Sequence, residues 1–109
     1  MFEFDPVKSA ANLAKHGIDL EAVQAVWSDP RRLEVPARTQ GEARWALVGR
    51  IDAKHWTVIF TRRGDALRLI SARRARKEEV APKIIYHVLT TRLLPAHLLE
   101  VKIKLQMND

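Results

Sequence analysis

The sequence contains no cysteine, which excludes a disulfide framework, a thiolate metal site and a cysteine nucleophile. It has no run of about 18 apolar residues, the length a membrane-spanning helix requires. The opening Met1-Phe2-Glu3-Phe4-Asp5 lacks the basic and apolar regions of a signal peptide, so the expectation is a cytoplasmic protein without membrane association. There is no glycine-rich phosphate loop and no Ser/His/Asp constellation. His87 and His97 stand at a spacing that does not suit a metal site, so neither metal nor cofactor is expected. What is present is ordinary for a globular chain: 109 residues, 47% hydrophobic and 29% charged, enough for one core and too apolar for disorder.

The charge is unevenly placed. The formal net charge is +6, and residues 62–77 account for all of that excess with seven bases against the single acid Asp65. These are Arg62, Arg63, Arg68, Arg73, Arg74, Arg76 and Lys77. Such a concentration reads as a footprint for a polyanion, and arginine forks onto phosphate better than lysine does.

Local signals order the chain. Phe2-Glu3-Phe4 alternates as a short strand. Asp5-Pro6 starts a first helix, whose expected buried stripe is Val7, Ala10, Ala11 and Ala14 (with Leu13), and Gly17 ends it. Asp19 caps a second helix with Leu20, Val23, Val26 and Trp27 inward, closed by Ser28-Asp29-Pro30. A short strand is expected at Leu33–Val35. Three strand-like runs follow, at 43–51, 56–61 and 66–72, joined by turns at Asp52–His55 and Arg63–Asp65. In the last run, strict alternation sets Leu67, Leu69 and Ser71 against Arg68, Ile70 and Ala72. From Arg74 the composition turns helical; Pro82 interrupts it, a helix over 84–94 follows, and Leu99–Gln106 alternates as a strand.

Taken together, Phe2-Glu3-Phe4-Asp5, Lys8 and Asn12-Leu13-Ala14-Lys15-His16-Gly17 resemble the opening signature of the BrnT toxins of bacterial type II toxin–antitoxin systems. Arg44-Trp45 with Gly49 resembles their central strand, and Arg62-Arg63-Gly64 with Arg68-Leu69-Ile70-Ser71-Ala72-Arg73 their hairpin and strand end. The resemblance runs from Phe2 to about Glu79, making residues 1–81 the toxin-like domain. Residues 82–109, including Tyr86, form a C-terminal extension without a counterpart in the pattern. It implies an α+β fold similar to the RelE-like ribonucleases: an antiparallel sheet meander with two N-terminal helices and a C-terminal helix. It further implies metal-independent endoribonuclease activity, growth inhibition, neutralisation by a BrnA-like antitoxin in a hetero-oligomer, and contact with promoter DNA only through that antitoxin.

The chemistry of RNA self-cleavage names the candidates. A base must take the 2′ proton and cations must stabilise the charge gathering on phosphate. His16 is the first candidate for proton transfer, because imidazole titrates near neutrality; a helix-end role capping backbone carbonyls is the alternative. Arg63, Arg68 and Arg73 are the phosphate candidates, although an odd spacing turns Arg68 and Arg73 to opposite faces of a regular strand unless the strand ends at Ala72. Glu78 is a candidate base or a candidate to hold an arginine in place; a helix-surface acid paired with Arg74 is the alternative. Lys15, Arg62, Arg74, Arg76 and Lys77 complete the expected RNA-binding set. Trp45 and Trp56 suit the core better than base stacking, and His55 falls in an expected turn. A non-catalytic nucleic-acid-binding or partner-binding module fits the same residues.

Overall fold

A computed structural model of the chain describes residues 1–38 and 41–81. The elements expected over 84–94 and 99–106 lie outside the described residues, as do Tyr86, His87 and His97. Five strands form one sheet: β1 (Phe2–Glu3), β2 (Leu33–Pro36), β3 (Trp45–Ile51), β4 (Lys54–Arg63) and β5 (Ala66–Arg74), in the spatial order β1-β5-β4-β3-β2. Strands β3 to β5 are the expected antiparallel meander and β2 extends it antiparallel to β3, but β1 lies parallel to β5, so the sheet is mixed. One α-helix, α1 (Pro6–His16), precedes the meander. The expected second helix is a 3-10 helix, Ala22–Ser28. Of the expected C-terminal helix, residues 77–81 are helical in the described part.

The helix ends follow from local chemistry. Asp5 accepts a hydrogen bond from the Val7 N–H at 2.8 Å, with Pro6 in the first turn. Gly17 closes α1 at φ 80°, a left-handed conformation that spares its N–H for Leu13 O. Asp19 caps the next segment through the N–H groups of Glu21 and Ala22. Leu20, Val23 and Val26 then face the sheet fully buried, as their spacing predicts. Gly49 makes this approach possible, because a Cβ there would collide with the Val26 side chain. Trp27 sits edge-on to Phe2 and Phe60, and Trp56 is buried in the same core.

Helix α1 reverses its expected orientation. Its buried residues are Ser9 and Asn12, while Val7 and Leu13 are 77% and 50% exposed and Ala10, Ala11 and Ala14 face solvent. The reason is backbone demand. β1 covers β5 only at Leu67 and Arg68, which leaves the outer edge of Ala72 without a strand partner. The Asn12 side-chain amide fills that position: Nδ2 donates to Ala72 O at 2.9 Å and Oδ1 accepts from Ala72 N–H at 3.1 Å. Nδ2 also donates to Ile18 O, and Ser9 Oγ accepts the Leu20 N–H. Four buried backbone groups are satisfied by two small polar side chains, which three alanines could not do.

The sheet separates two faces. Leu47, Trp56, Val58, Phe60, Leu69 and Ala72 pack towards the 3-10 helix and the loop before it. Leu33, Val35, Ala46 and Ile59 cluster on the opposite face.

Candidate nucleic-acid interface and catalytic site

The decisive local feature is a β-bulge in β5. Ile59 pairs with Ser71 and Phe60 with Leu69, so Ile70 is an extra residue without a partner. Alternation shifts by one across it. Leu67, Leu69 and Ala72 therefore share the core face, which corrects the expected grouping of Ser71 with the leucines. β5 also continues through Arg74 instead of ending at Ala72. The consequence is that Arg68, Ser71 and Arg73 all lie on the face opposite Leu69 and Ala72, the side of Ile59, and Arg63, the register partner of Ala66, joins them. Arg68 and Arg73 stand about 15 Å apart along the strand.

The expected arginine cluster is thus divided. Arg62 and Arg74 lie on the core face at its two ends and spread over aromatic rings: Arg62 is 4.7 Å from the Trp45 ring centroid and Arg74 5.6 Å from that of Trp56. Arg62 also donates to both carboxylate oxygens of Glu34, at 2.8 and 2.7 Å. These two side chains have packing roles. On the opposite face, Arg63 approaches Glu42 at 3.5 Å in an exposed pair and Arg68 approaches Glu3 at 3.7 Å in a half-exposed one. Contacts of that length and exposure contribute about 0–1 kcal/mol, so a phosphate can displace them.

Arg73 is held differently. Its Nη1 and Nη2 donate to the two oxygens of Glu79 at 2.7 and 2.8 Å, and Nη1 also reaches Arg74 O. Glu79 is 3% exposed and additionally accepts the Arg76 N–H at 2.8 Å and the Thr57 hydroxyl at 3.1 Å. Burial opposes ionisation of Glu79, but the bonds from Arg73, Arg76 and Thr57, with the charge of Arg73, outweigh it and hold the carboxyl below its ordinary value. The bond to Glu79 raises Arg73 above its own ordinary value against the opposing effect of burial.

The acid at the centre of this cluster is Glu79; Glu78, the acid singled out from the sequence, is exposed on the next position. The signal that could have found Glu79 is a long-range one, since its partners lie on β4 and β5. His16 is the half-buried last residue of α1, which packs at the outer edge of β5 through Asn12. Lys15, Arg76 and Lys77 are exposed cations outside the row, of which Arg76 and Lys77 follow β5 after Ala75. His55, expected in a turn, belongs to β4; the turn is only Asp52-Ala53, with Asp52 at φ 53°. Among the described residues no three His, Asp or Glu side chains converge as metal ligands would, and no helix is long and apolar enough to cross a membrane.

A mixed sheet with a bulged strand that sets three arginines on one face, and a buried carboxylate fixing one of them, defines a small α+β protein with a basic sheet face. The family comparison gives this class its identity. Residues 4–79 match the model of the ribonuclease toxin BrnT of type II toxin–antitoxin systems, and the chain belongs to that family. A search of curated proteins found no match. As a type II toxin it has RNA as its substrate and an antitoxin protein as its partner.

Proposed function

We propose that this chain cleaves RNA by metal-independent attack of the 2′-hydroxyl on the adjacent phosphorus, and that a BrnA-like antitoxin neutralises it. The observation that carries the reading is the bulge at Ile70, which sets Arg63, Arg68 and Arg73 on one sheet face in a chain of a ribonuclease-toxin family. Arg63 and Arg68, whose own ion pairs are long and exposed, bind the phosphates on either side of the scissile bond. Arg73, fixed by Glu79, presents a rigid positive charge where negative charge builds on the phosphoryl oxygens. The test is incubation of purified protein with end-labelled RNA in the presence of a chelator. Fragments ending in 2′,3′-cyclic phosphate are expected, and RNA left intact at stoichiometric protein refutes the proposal.

The second reading, a polyanion- or partner-binding module without catalysis, draws support from the pairing of Arg62 and Arg73 with the protein's own carboxylates. Salt-sensitive retention of RNA without fragments selects it.

A further inference from the structure

Resting on the ribonuclease reading, we propose that Thr57 is a positioning residue for the reaction: through Glu79 it fixes the Arg73 guanidinium so that one edge of it meets the scissile phosphate. Thr57 is the register partner of Arg73, lies on β4 and is fully buried. Its hydroxyl donates to Glu79 Oε1 at 3.1 Å. The β-branched side chain has few rotamers, so the direction of that bond is set by the strand. Glu79 is anchored from three places. Arg73 donates to both of its oxygens and the Arg76 N–H donates to Oε1. These anchors lie within six residues of Glu79 in the chain, so the three residues can shift together. The Thr57 bond spans 22 residues and is the one among the four that ties the carboxylate to the neighbouring strand. That strand ends in Arg63, so Thr57 sets Arg73 relative to the rest of the arginine row.

The same bonds select which donors of Arg73 remain for a ligand. Nη1 donates to Glu79 Oε1 and to Arg74 O, and Nη2 donates to Glu79 Oε2. The carboxylate thus occupies the end of the guanidinium fork. The Nε–H and the second Nη2 hydrogen, which run parallel along the side of the group, take no part in these bonds. Two such parallel donors match two oxygens of one phosphate. The Arg73 side chain keeps 29% exposure against 4% for Glu79, so solvent reaches Arg73 on the part turned from the carboxylate. Once the Thr57 bond is gone, the Arg73–Glu79 pair can pivot, and the charge is no longer held where it builds on the phosphoryl oxygens. Thr61 supplies the comparison. It is 2% exposed, on the same strand and face, and pairs in register with Arg68, but its hydroxyl donates to a backbone carbonyl, Ala43 O, at 2.7 Å.

The experiment compares single-turnover cleavage of a labelled oligoribonucleotide by the full-length wild-type protein, Thr57→Val, Thr57→Ser, Thr57→Ala and Thr61→Val. Varying protein concentration separates the rate at saturation from RNA affinity, and urea unfolding gives each midpoint. Thr57→Val keeps the shape and removes the hydroxyl; it is expected to lose about tenfold in the saturated rate, the equivalent of one hydrogen bond, with affinity near wild type. Thr57→Ser restores the rate, and Thr61→Val loses stability but cleaves as wild type does. Thr57→Ala against Thr57→Ser repeats the comparison with the methyl absent from both, so a Thr57→Val chain that fails to fold leaves the test intact. The assignment is overturned if removing the Thr57 hydroxyl changes the saturated rate by less than about threefold, or lowers affinity alone. It is equally overturned if Thr57→Ser is as slow as its hydroxyl-free counterpart, or if Thr61→Val shows the same loss of rate. A wild-type protein that leaves RNA intact refutes the ribonuclease reading instead, and the two failures are thereby distinct.

Discussion

Two adjacent carboxylates make opposite predictions, and the contrast tests the described geometry directly. Glu79→Gln keeps the shape of the side chain but removes the charge that Arg73 neutralises, and it turns an amide NH2 towards one guanidinium donor. Breaking a buried pair by removing one partner costs about 3–5 kcal/mol when the survivor is fully enclosed. The Arg73 side chain keeps 29% exposure, so water recovers part of its solvation and about 2–3 kcal/mol is expected. Glu78→Gln removes an exposed acid and stays within about 0.5 kcal/mol of wild type. Urea unfolding at neutral pH reads both. The pH dependence supplies an independent check. Glu79 titrates below its ordinary value in the folded protein, so its contribution is complete above the unfolded carboxylate pKa, about 4.3, and disappears as pH falls through the lower folded value. Wild type therefore loses its advantage over Glu79→Gln in acid. Equal midpoints for the two proteins at neutral pH, or an advantage that persists unchanged in strong acid, refute the reasoning.

Asn12→Ala removes three hydrogen bonds and leaves the Ala72 and Ile18 backbone groups unsatisfied, a loss of about 2–4 kcal/mol in urea unfolding, whereas its more apolar neighbour Leu13→Ala costs under about 1 kcal/mol. Arg63→Ala and Arg68→Ala each reduce the slope of log affinity for single-stranded RNA against log salt by about 0.7, while Arg62→Ala, stacked on Trp45 and paired with Glu34, leaves the slope unchanged and lowers stability instead. Deleting Ile70 removes the bulge and drives either the Leu67–Leu69 pair or Ala72 out of the core; unfolding at denaturant concentrations where Ile70→Ala remains native is the expected result.

Where structure rests on neighbours in sequence, the sequence was legible. Asp5, Pro6, Gly17 and Asp19 mark segment ends through bonds that span two to four residues, and the buried face Leu20, Val23 and Val26 is plain from spacing. The three-stranded meander β3 to β5 was readable for the same reason, since short turns join its strands. The parallel partner β1 was not, because nothing local in Phe2-Glu3 indicates a strand 65 residues away. The burial of Asn12 escaped notice because apolar spacing favoured the alanines. An alanine gains little from burial, while an amide that completes a strand edge gains three hydrogen bonds to groups 6 and 60 residues distant. Glu79 was missed in favour of Glu78 because i,i+4 pairing with Arg74 is a local inference, and the actual partners arrive through the sheet.

The bulge explains why a count of bases misdescribes this surface. Strict alternation turns Arg68 and Arg73 to opposite faces, leaving no continuous row for a polyanion. One unpaired residue, Ile70, resets the phase after Leu69, so the face of Leu69 regains its apolar residue at Ala72 and the opposite face gains its second arginine at Arg73. The same shift directs Arg74 onto Trp56, where a planar guanidinium covers an indole that a lysine would cover less well. Arginine therefore does two separate things in one strand: on one face its plane covers an aromatic ring at Arg74, and on the other its charge is loosely paired with Glu3 at Arg68 or fixed by Glu79 at Arg73. Which arginines share a face thus follows from the register of β4 against β5, and a substitution that preserves every charge but slips that register separates Arg68 from Arg73.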